Sequence, residues 1–212
     1  MKNMKVTKFP QSCLLVENEG HKIVIDPGMQ FLDTHRIEEL KGVEAVLYTH
    51  QHSDHYEPKI AEALLAEGVK IFANEATAEL IGAEKVSVVH DGDTFSTGGF
   101  GVVARELPHC LLPDGSQGPQ NTGYVIEGVL FHPGDGKDLD DLQVDNLALP
   151  ITGPDISILD AINFAKQVGA KVAIPIHFTA IPADPHVFAA YADKGNADFE
   201  VRVLADGEST EI

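Results

Sequence analysis

The chain has 212 residues, with 33 Asp plus Glu against 15 Lys plus Arg, a formal net charge of −18, ten histidines, two cysteines and no tryptophan. Its 43% apolar and 23% charged composition is that of an ordinary globular protein, and at this length roughly 70% of the extended-chain surface can be buried, so one domain over residues 1–212 is expected. The acidic balance repels phosphate backbones and anionic lipid, which excludes nucleic acid and basic membrane-surface attachment as partners.

No run approaches the roughly 18 apolar residues of a spanning helix. The N-terminus MKNMKVTKFPQ has lysines but no apolar core of a signal peptide. Cys13 and Cys110 make no disulfide framework, and a reducing cytoplasm is the compartment expected.

Apolar alternation and β-branched content predict strands at Lys5 to Phe9, Cys13 to Glu17 and Lys22 to Ile25, the last stopped by Asp26, Pro27 and Gly28. A strand at Ala45 to Tyr48 runs into a histidine-rich segment. Pro58 then opens a helix whose stripe pairs Ile60 with Leu64 and Ala61 with Leu65, Gly68 closes it, and a strand follows at Val69 to Ala73. Residues 85 to 130 read as glycine-punctuated strands around a loop, CLLPDGSQGPQ, after His109. Beyond them lie a strand at Leu147 to Ile151, a helix from Asp155 to Val168 and a strand at Val172 to Ile176. A helix near Pro185 to Lys194 and a strand at Glu200 to Leu204 complete the pattern. The helix, glycine and strand order of residues 58–73 recurs in 155–176. Strands first and α/β units after, in both halves, predict an α/β (α+β) fold with two sheets inside and helices outside, a four-layer αββα sandwich.

Residues 50 to 55 read HQHSDH. On an extended segment His50 and His52 project to one side, and Asp54 and His55 at a following turn bring an oxygen and a third imidazole to the same place. Four metal-competent groups in six residues at a strand's C-terminal end point to a metal site. Three later residues at strand ends can complete it: His109, Asp135 in LFHPGDG and His177 in VAIPIHF.

HQHSDH followed in order by His109, Asp135 and His177, with Asp26 in IVIDPG ahead of them, resembles the metallo-β-lactamase-fold superfamily. The run from YVIEGVLFHPGD through VAIPIHF resembles, more narrowly, its L-ascorbate-6-phosphate lactonase-like branch of metal-dependent hydrolases. The resemblance implies two divalent ions, zinc first and manganese or iron next. His50, His52 and His109 would hold one ion, Asp54, His55 and His177 the other, and Asp135 would bridge them. Asp26 would accept a hydrogen bond from a ligand imidazole and fix its tautomer. Two ions about 3.5–4 Å apart supply a hydroxide at neutral pH, so the implied reaction is hydrolysis of a small-molecule ester, lactone or phosphoester, with Asp54 orienting or deprotonating the water. A small and possibly anionic substrate is the expected partner, and a homo-oligomer stays open.

Gly136 stands where the superfamily often has threonine, which removes a hydroxyl beside Asp135. Cys110 reads as a buried small hydrophobe, and His132 either as a proton donor lining the pocket or as a structural hydrogen-bonding residue. His21, His35, His90 and His186 read as surface residues. The 110–120 loop is either a substrate-contacting lid or a connection. Phosphodiesterase or nuclease activity on the same fold, and a metal-binding module without catalysis, are the competing readings. The charge and the short chain weigh against a nuclease, and the intact ligand set weighs against an inactive module.

Overall fold

In the computed structural model, which describes residues 4–195 and 197–212, short strands alternate with turns as the apolar pattern dictates. They are β1 (Lys5–Lys8), β2 (Leu14–Asn18), β3 (His21–Ile25), β4 (Ala45–Leu47), β5 (Lys70–Ala73) and β6 (Val86–Val88). The second half adds β7 (Thr94–Thr97), β8 (Phe100–Glu106), β9 (Thr122–Ile126), β10 (Leu130–His132), β11 (Asn146–Pro150), β12 (Val172–Ile176), β13 (Glu200–Val201) and β14 (Ser209–Glu211). One sheet has the order β14-β1-β2-β3-β4-β5-β6 and the other β13-β12-β11-β10-β9-β8-β7.

Starting from β14 in the first sheet and from β7 in the second, each has three antiparallel pairings followed by three parallel ones. The helix, glycine and strand recurrence therefore marks a true pseudo-repeat. Helix α2 (Pro58–Ala66) joins β4 to β5 as α4 (Ile158–Gln167) joins β11 to β12. Parallel neighbours require such crossovers, and helices cover the outer faces.

Alternation along the strands builds the layers. Leu14, Val16, Ile23, Ile25, Ala45 and Leu47 face the second sheet, where Val102, Ala104, Tyr124, Ile126 and Ile174 meet them. Leu15, Val24, Val46 and Tyr48 turn outward onto Ile60, Ala61 and Leu64 of α2. Outside the second sheet, Phe131, Leu147 and Leu149 pack on Ala161, Phe164 and Ala165 of α4 and on Phe188 of α5 (Pro185–Lys194). These are the two inner sheets and outer helices of the four-layer sandwich. Among the described residues no helix is long and apolar enough to cross a membrane.

Several boundaries differ from the sequence reading. The helix expected from Asp155 starts at Ile158, because Ser157 caps it reciprocally with Asp160, whereas Asp155 binds Lys137 Nζ at 2.8 Å. The strand expected over Glu200 to Leu204 ends at Val201. Helices α1 (Phe31–Thr34) and α3 (Glu75–Ile81), and strand β14, were not anticipated. The two helices contain too few turns for apolar periodicity to reveal them.

Candidate metal centre

Parallel strands place their C-terminal ends on one edge, and the sequence delivers its metal-competent residues there. His50 and His52 follow β4 on an extended segment. A turn, in which the His55 and Tyr56 amides both donate to His52 O at 2.9 and 2.8 Å, then brings Asp54 and His55 back towards them. His109 follows β8, Asp135 follows β10 and His177 follows β12.

Ligand-capable atoms of His50, His52, His109 and Asp135 lie within 4.8 Å of one another, and so do those of Asp54, His55 and His177. Asp135 stands between the groups. Its Oδ1 is 3.0 Å from His55 Nε2, and its Oδ2 is 3.0 Å from His177 Nε2, 3.4 Å from His109 Nε2 and 3.9 Å from His50 Nε2. Asp54 Oδ2 lies 3.4 Å from His177 Nε2 and 3.9 Å from His55 Nε2. Asp54 and His52 are only partly buried and border the open side; the other five are buried.

The imidazoles are oriented from behind. His55 Nδ1 donates to Asp26 Oδ2 at 2.7 Å, His109 Nδ1 to Cys110 O at 2.5 Å and His177 Nδ1 to Thr152 O at 2.7 Å. His50 Nδ1 lies 3.0 Å from Thr49 Oγ1, which itself donates to Asp26 Oδ2 at 2.7 Å, so the hydroxyl is free to accept. Each of these contacts fixes a tautomer with a bare Nε2 turned into the site. His50 Nε2 and His52 Nδ1 then face each other at 3.2 Å. His55 Nε2, His109 Nε2, His177 Nε2 and Asp135 Oδ1 are buried without a hydrogen-bond partner among the described residues. Unpaired buried polar atoms cost about 1–3 kcal/mol each, and these four, divided between two groups that both lie against Asp135, fit divalent cations. The all-nitrogen-and-oxygen donor set suits zinc, manganese or iron without choosing among them.

Charge in the ion-free site follows from the same packing. Burial pushes the His50 imidazole well below its usual pKa. Burial acts the same way on His55 and His177, but the carboxylates overcome it: Asp135 and Asp26 lift His55 well above the usual value, and Asp135 and Asp54 lift His177 to about 10. Against its own burial, Asp135 is held well below the carboxylate range by His177 and His55.

His132 does not line the site. It is fully buried, donates Nε2–H to Ser12 O at 2.8 Å and accepts at Nδ1 from the Gly134 amide at 3.2 Å. Both nitrogens are committed to the backbone, which corrects the catalytic proton-donor reading and leaves the structural one. Cys110 packs among Leu107, Ile151 and Ile156, and burial followed by Asp135 pushes its thiol up to about 12. His35 departs from the surface reading: its ring packs on Phe9 and Phe31 and bridges Glu39 and Asp206 at 2.9 and 2.7 Å.

The loop after His109 is drawn against that imidazole. Gln117 Nε2 donates to His109 O at 3.2 Å, and a Cβ on Gly118 would stand 2.2 Å from His109 Nδ1, so only glycine fits. Gly136 has a similar reason: it bridges His109 in a single β-pair, and a Cβ there would meet Leu107 Cδ1 at 2.3 Å. Asp135 is supported instead by its own amide, which donates to Asn121 Oδ1 at 3.3 Å, and by the Cys110 amide, which donates to Asp135 O at 3.0 Å.

Gln11 was not singled out from the sequence. It is 1% exposed, with φ of 60°, and its Nε2 donates to Asp54 Oδ2 at 2.9 Å. Its Oε1 accepts from the amides of Thr179 and Ala180 at 2.9 and 3.0 Å, and its carbonyl accepts from the His177 amide at 3.0 Å. One side chain thus ties the Asp54 carboxylate to the loop that carries His177. Nothing in the local pattern FPQSC signals this role.

Residues 5–177 match the family described as the beta-lactamase superfamily domain. The protein Rv0786c of Mycobacterium tuberculosis is 30% identical over 93% of this chain and 96% of its own. The UPF0173 metal-dependent hydrolase ABC2731 of Shouchella clausii is also 30% identical, over 99% of this chain and 100% of its own. Among solved structures, Igni18, described as a metallo hydrolase from Ignicoccus hospitalis, superposes with a TM-score of 0.82 at 23% identity, covering 99% of this chain and 98% of that one.

Proposed function

This chain belongs to the beta-lactamase superfamily as a metal-dependent hydrolase of the metallo-β-lactamase fold, and from that premise we propose that it is a dinuclear enzyme acting on a small-molecule ester, lactone or phosphoester. The proposed ligands are His50, His52 and His109 for one ion and Asp54, His55 and His177 for the other, with Asp135 shared. The observation that carries this reading is that four buried ligand atoms with no hydrogen-bond partner among the described residues fall in two side-chain groups, both lying against Asp135. Divalent ions held there supply an acidified water and a polarised substrate oxygen.

The chain's own groups do the rest. Asp26, Thr49, Cys110 O and Thr152 O hold imidazole rings in their tautomers, so little reorganisation accompanies reaction. Asp54, at the open side and steadied by Gln11, is the carboxylate placed to orient an attacking water and receive its proton. The overall charge of −18 leaves the ions as the local positive field for an anionic substrate or transition state.

Metal analysis of purified protein tests the reading. Up to two divalent ions per chain are expected, and His52→Ala with His55→Ala should lose most of them; full occupancy in the double variant would overturn the assignment. Lactones, phosphodiesters, phosphomonoesters and β-lactams, assayed with zinc and with manganese, then sort the substrate class. Retained metal with no turnover of any of them would favour a non-catalytic module.

A further inference from the structure

A cleft of about 400 Å³ opens between the end of β1, the loop after β12 and the segment leading into β14. It contains none of the seven proposed ligands. Its lining includes Pro10 and Thr179, which flank the Gln11 tie described above, so it lies behind the Asp54 and His177 side of the metal centre.

Lys8 lines this cleft and is only 3% exposed. Its backbone is fixed on both sides, the amide donating to Glu208 O at 2.9 Å and the carbonyl accepting from the Gly207 amide at 2.8 Å. Its ammonium donates to Phe9 O at 3.0 Å and sits 4.4 Å from the centre of the Phe178 ring. An ammonium has three donors, and among the described residues that carbonyl is its one hydrogen-bond acceptor, with no carboxylate within 4.0 Å. Burial lowers its pKa to about 8, with Asp206 opposing, so it is still charged at neutral pH. A buried charge with so little compensation is costly unless an acceptor joins it.

The remaining lining defines that acceptor's owner. Phe178, Pro185 and Leu204 give apolar walls, and Gln30, whose Oε1 is buried without a hydrogen-bond partner among the described residues, adds a polar side chain. Asp33, Asp206 and Glu208 also line the cleft. Asp206 is taken up by Thr34 Oγ1 and His35 Nε2 at 2.9 and 2.7 Å, and Glu208 by the Ala205 amide at 2.8 Å, yet their charges still oppose a dianion. We propose that this cleft is a binding site for a small molecule with an apolar body and a single carboxylate, received by the Lys8 ammonium. The site stands independently of the hydrolase reading.

Calorimetric titration of the whole protein with 4-phenylbutyrate, 4-phenylbutanol and 4-phenylbutyl phosphate tests it. One saturable site is expected for the carboxylate, with the alcohol on the order of tenfold weaker and the phosphate weaker than the carboxylate. Lys8→Met should level the carboxylate and the alcohol. Ala205→Trp, at an exposed lining position, should block both ligands and decides the matter if Lys8→Met fails to fold. Repeating the titration after chelation should change nothing, because no metal-centre residue lines the cleft. Absence of saturable binding, equal affinities in the unaltered protein, carboxylate binding unchanged in the folded variants, or binding lost on chelation would each overturn the proposal.

Discussion

Gln11 shows how one uncharged side chain acts on a charged centre. The Asp54 carboxylate must keep its lone pairs turned inward while bordering solvent, and a neutral donor at 2.9 Å steadies it without adding charge. Gln11→Leu removes that donor and strands the Thr179 and Ala180 amides. We expect a loss of about 1–3 kcal/mol in denaturant unfolding. Affinity at the Asp54, His55 and His177 group should also fall by roughly 10–100-fold, as for other residues that orient ligands. A two-step metal titration checks it, because only one step should move. The same carboxylates set the pH behaviour of the ion-free protein. His177 is raised to about 10 and His55 is raised as well, against burial, by Asp135 with Asp54 and Asp26. A raised histidine contributes stability fully below its unfolded pKa of about 6.5 and loses it as pH climbs towards the folded value. His50, kept neutral by burial, has the opposite sign and destabilises below about 6.5. Ion-free protein should therefore lose stability from neutral pH towards 10, and metal uptake near neutrality should release protons, measurable with an indicator dye.

At the scale of elements, the chemistry sits at strand ends because the central strands β4, β10, β11 and β12 are buried along nearly their whole length. HQHSDH was legible because its spacing matches an extended segment running into a turn, and His109, Asp135 and His177 because each follows the end of an expected strand. Gln11 and Asn121 were not legible, since their partners lie 43 and 14 residues away and nothing local encodes a meeting that only the fold creates. His132 misled because proximity to Asp135 in sequence says nothing about which way a strand-end side chain turns. Helix α4 illustrates the same boundary between local and tertiary information. Its apolar stripe predicts the helix, whereas its start is set by Ser157, whose Oγ accepts from the Asp160 amide at 3.1 Å while Asp160 Oδ2 accepts from the Ser157 amide at 2.9 Å. Ser157→Ala should cost about 1 kcal/mol in unfolding experiments and leave metal content unchanged, because α4 carries no ligand.

For the molecule as a whole, the repeated pairing pattern explains why one edge collects ligands from both halves: two similar sheets, packed face to face, present β4 and β12 ends to a common cleft. The halves hold together through the central core and through Tyr124, whose hydroxyl crosses from the second sheet to Tyr48 O at 2.9 Å. Against this works the charge. With 33 acidic and 15 basic residues, the chain carries −18, and two divalent ions would bring it to −18 + 4 = −14. Repulsion of this kind is long-ranged in dilute buffer and is screened beyond about 10 Å at about 0.1 M salt. Raising NaCl from about 10 mM to about 150 mM should therefore raise the Tm of the ion-free protein by about 2–4 °C, corresponding to about 1 kcal/mol at this chain length. The increment should be smaller after metal loading, because part of the excess is already neutralised at its most buried point. Calorimetry of both forms across the salt series separates this from ion-pair stabilisation, which salt weakens: a Tm that falls with salt in the ion-free protein would mean that surface pairs such as Lys5–Glu17 outweigh the net repulsion.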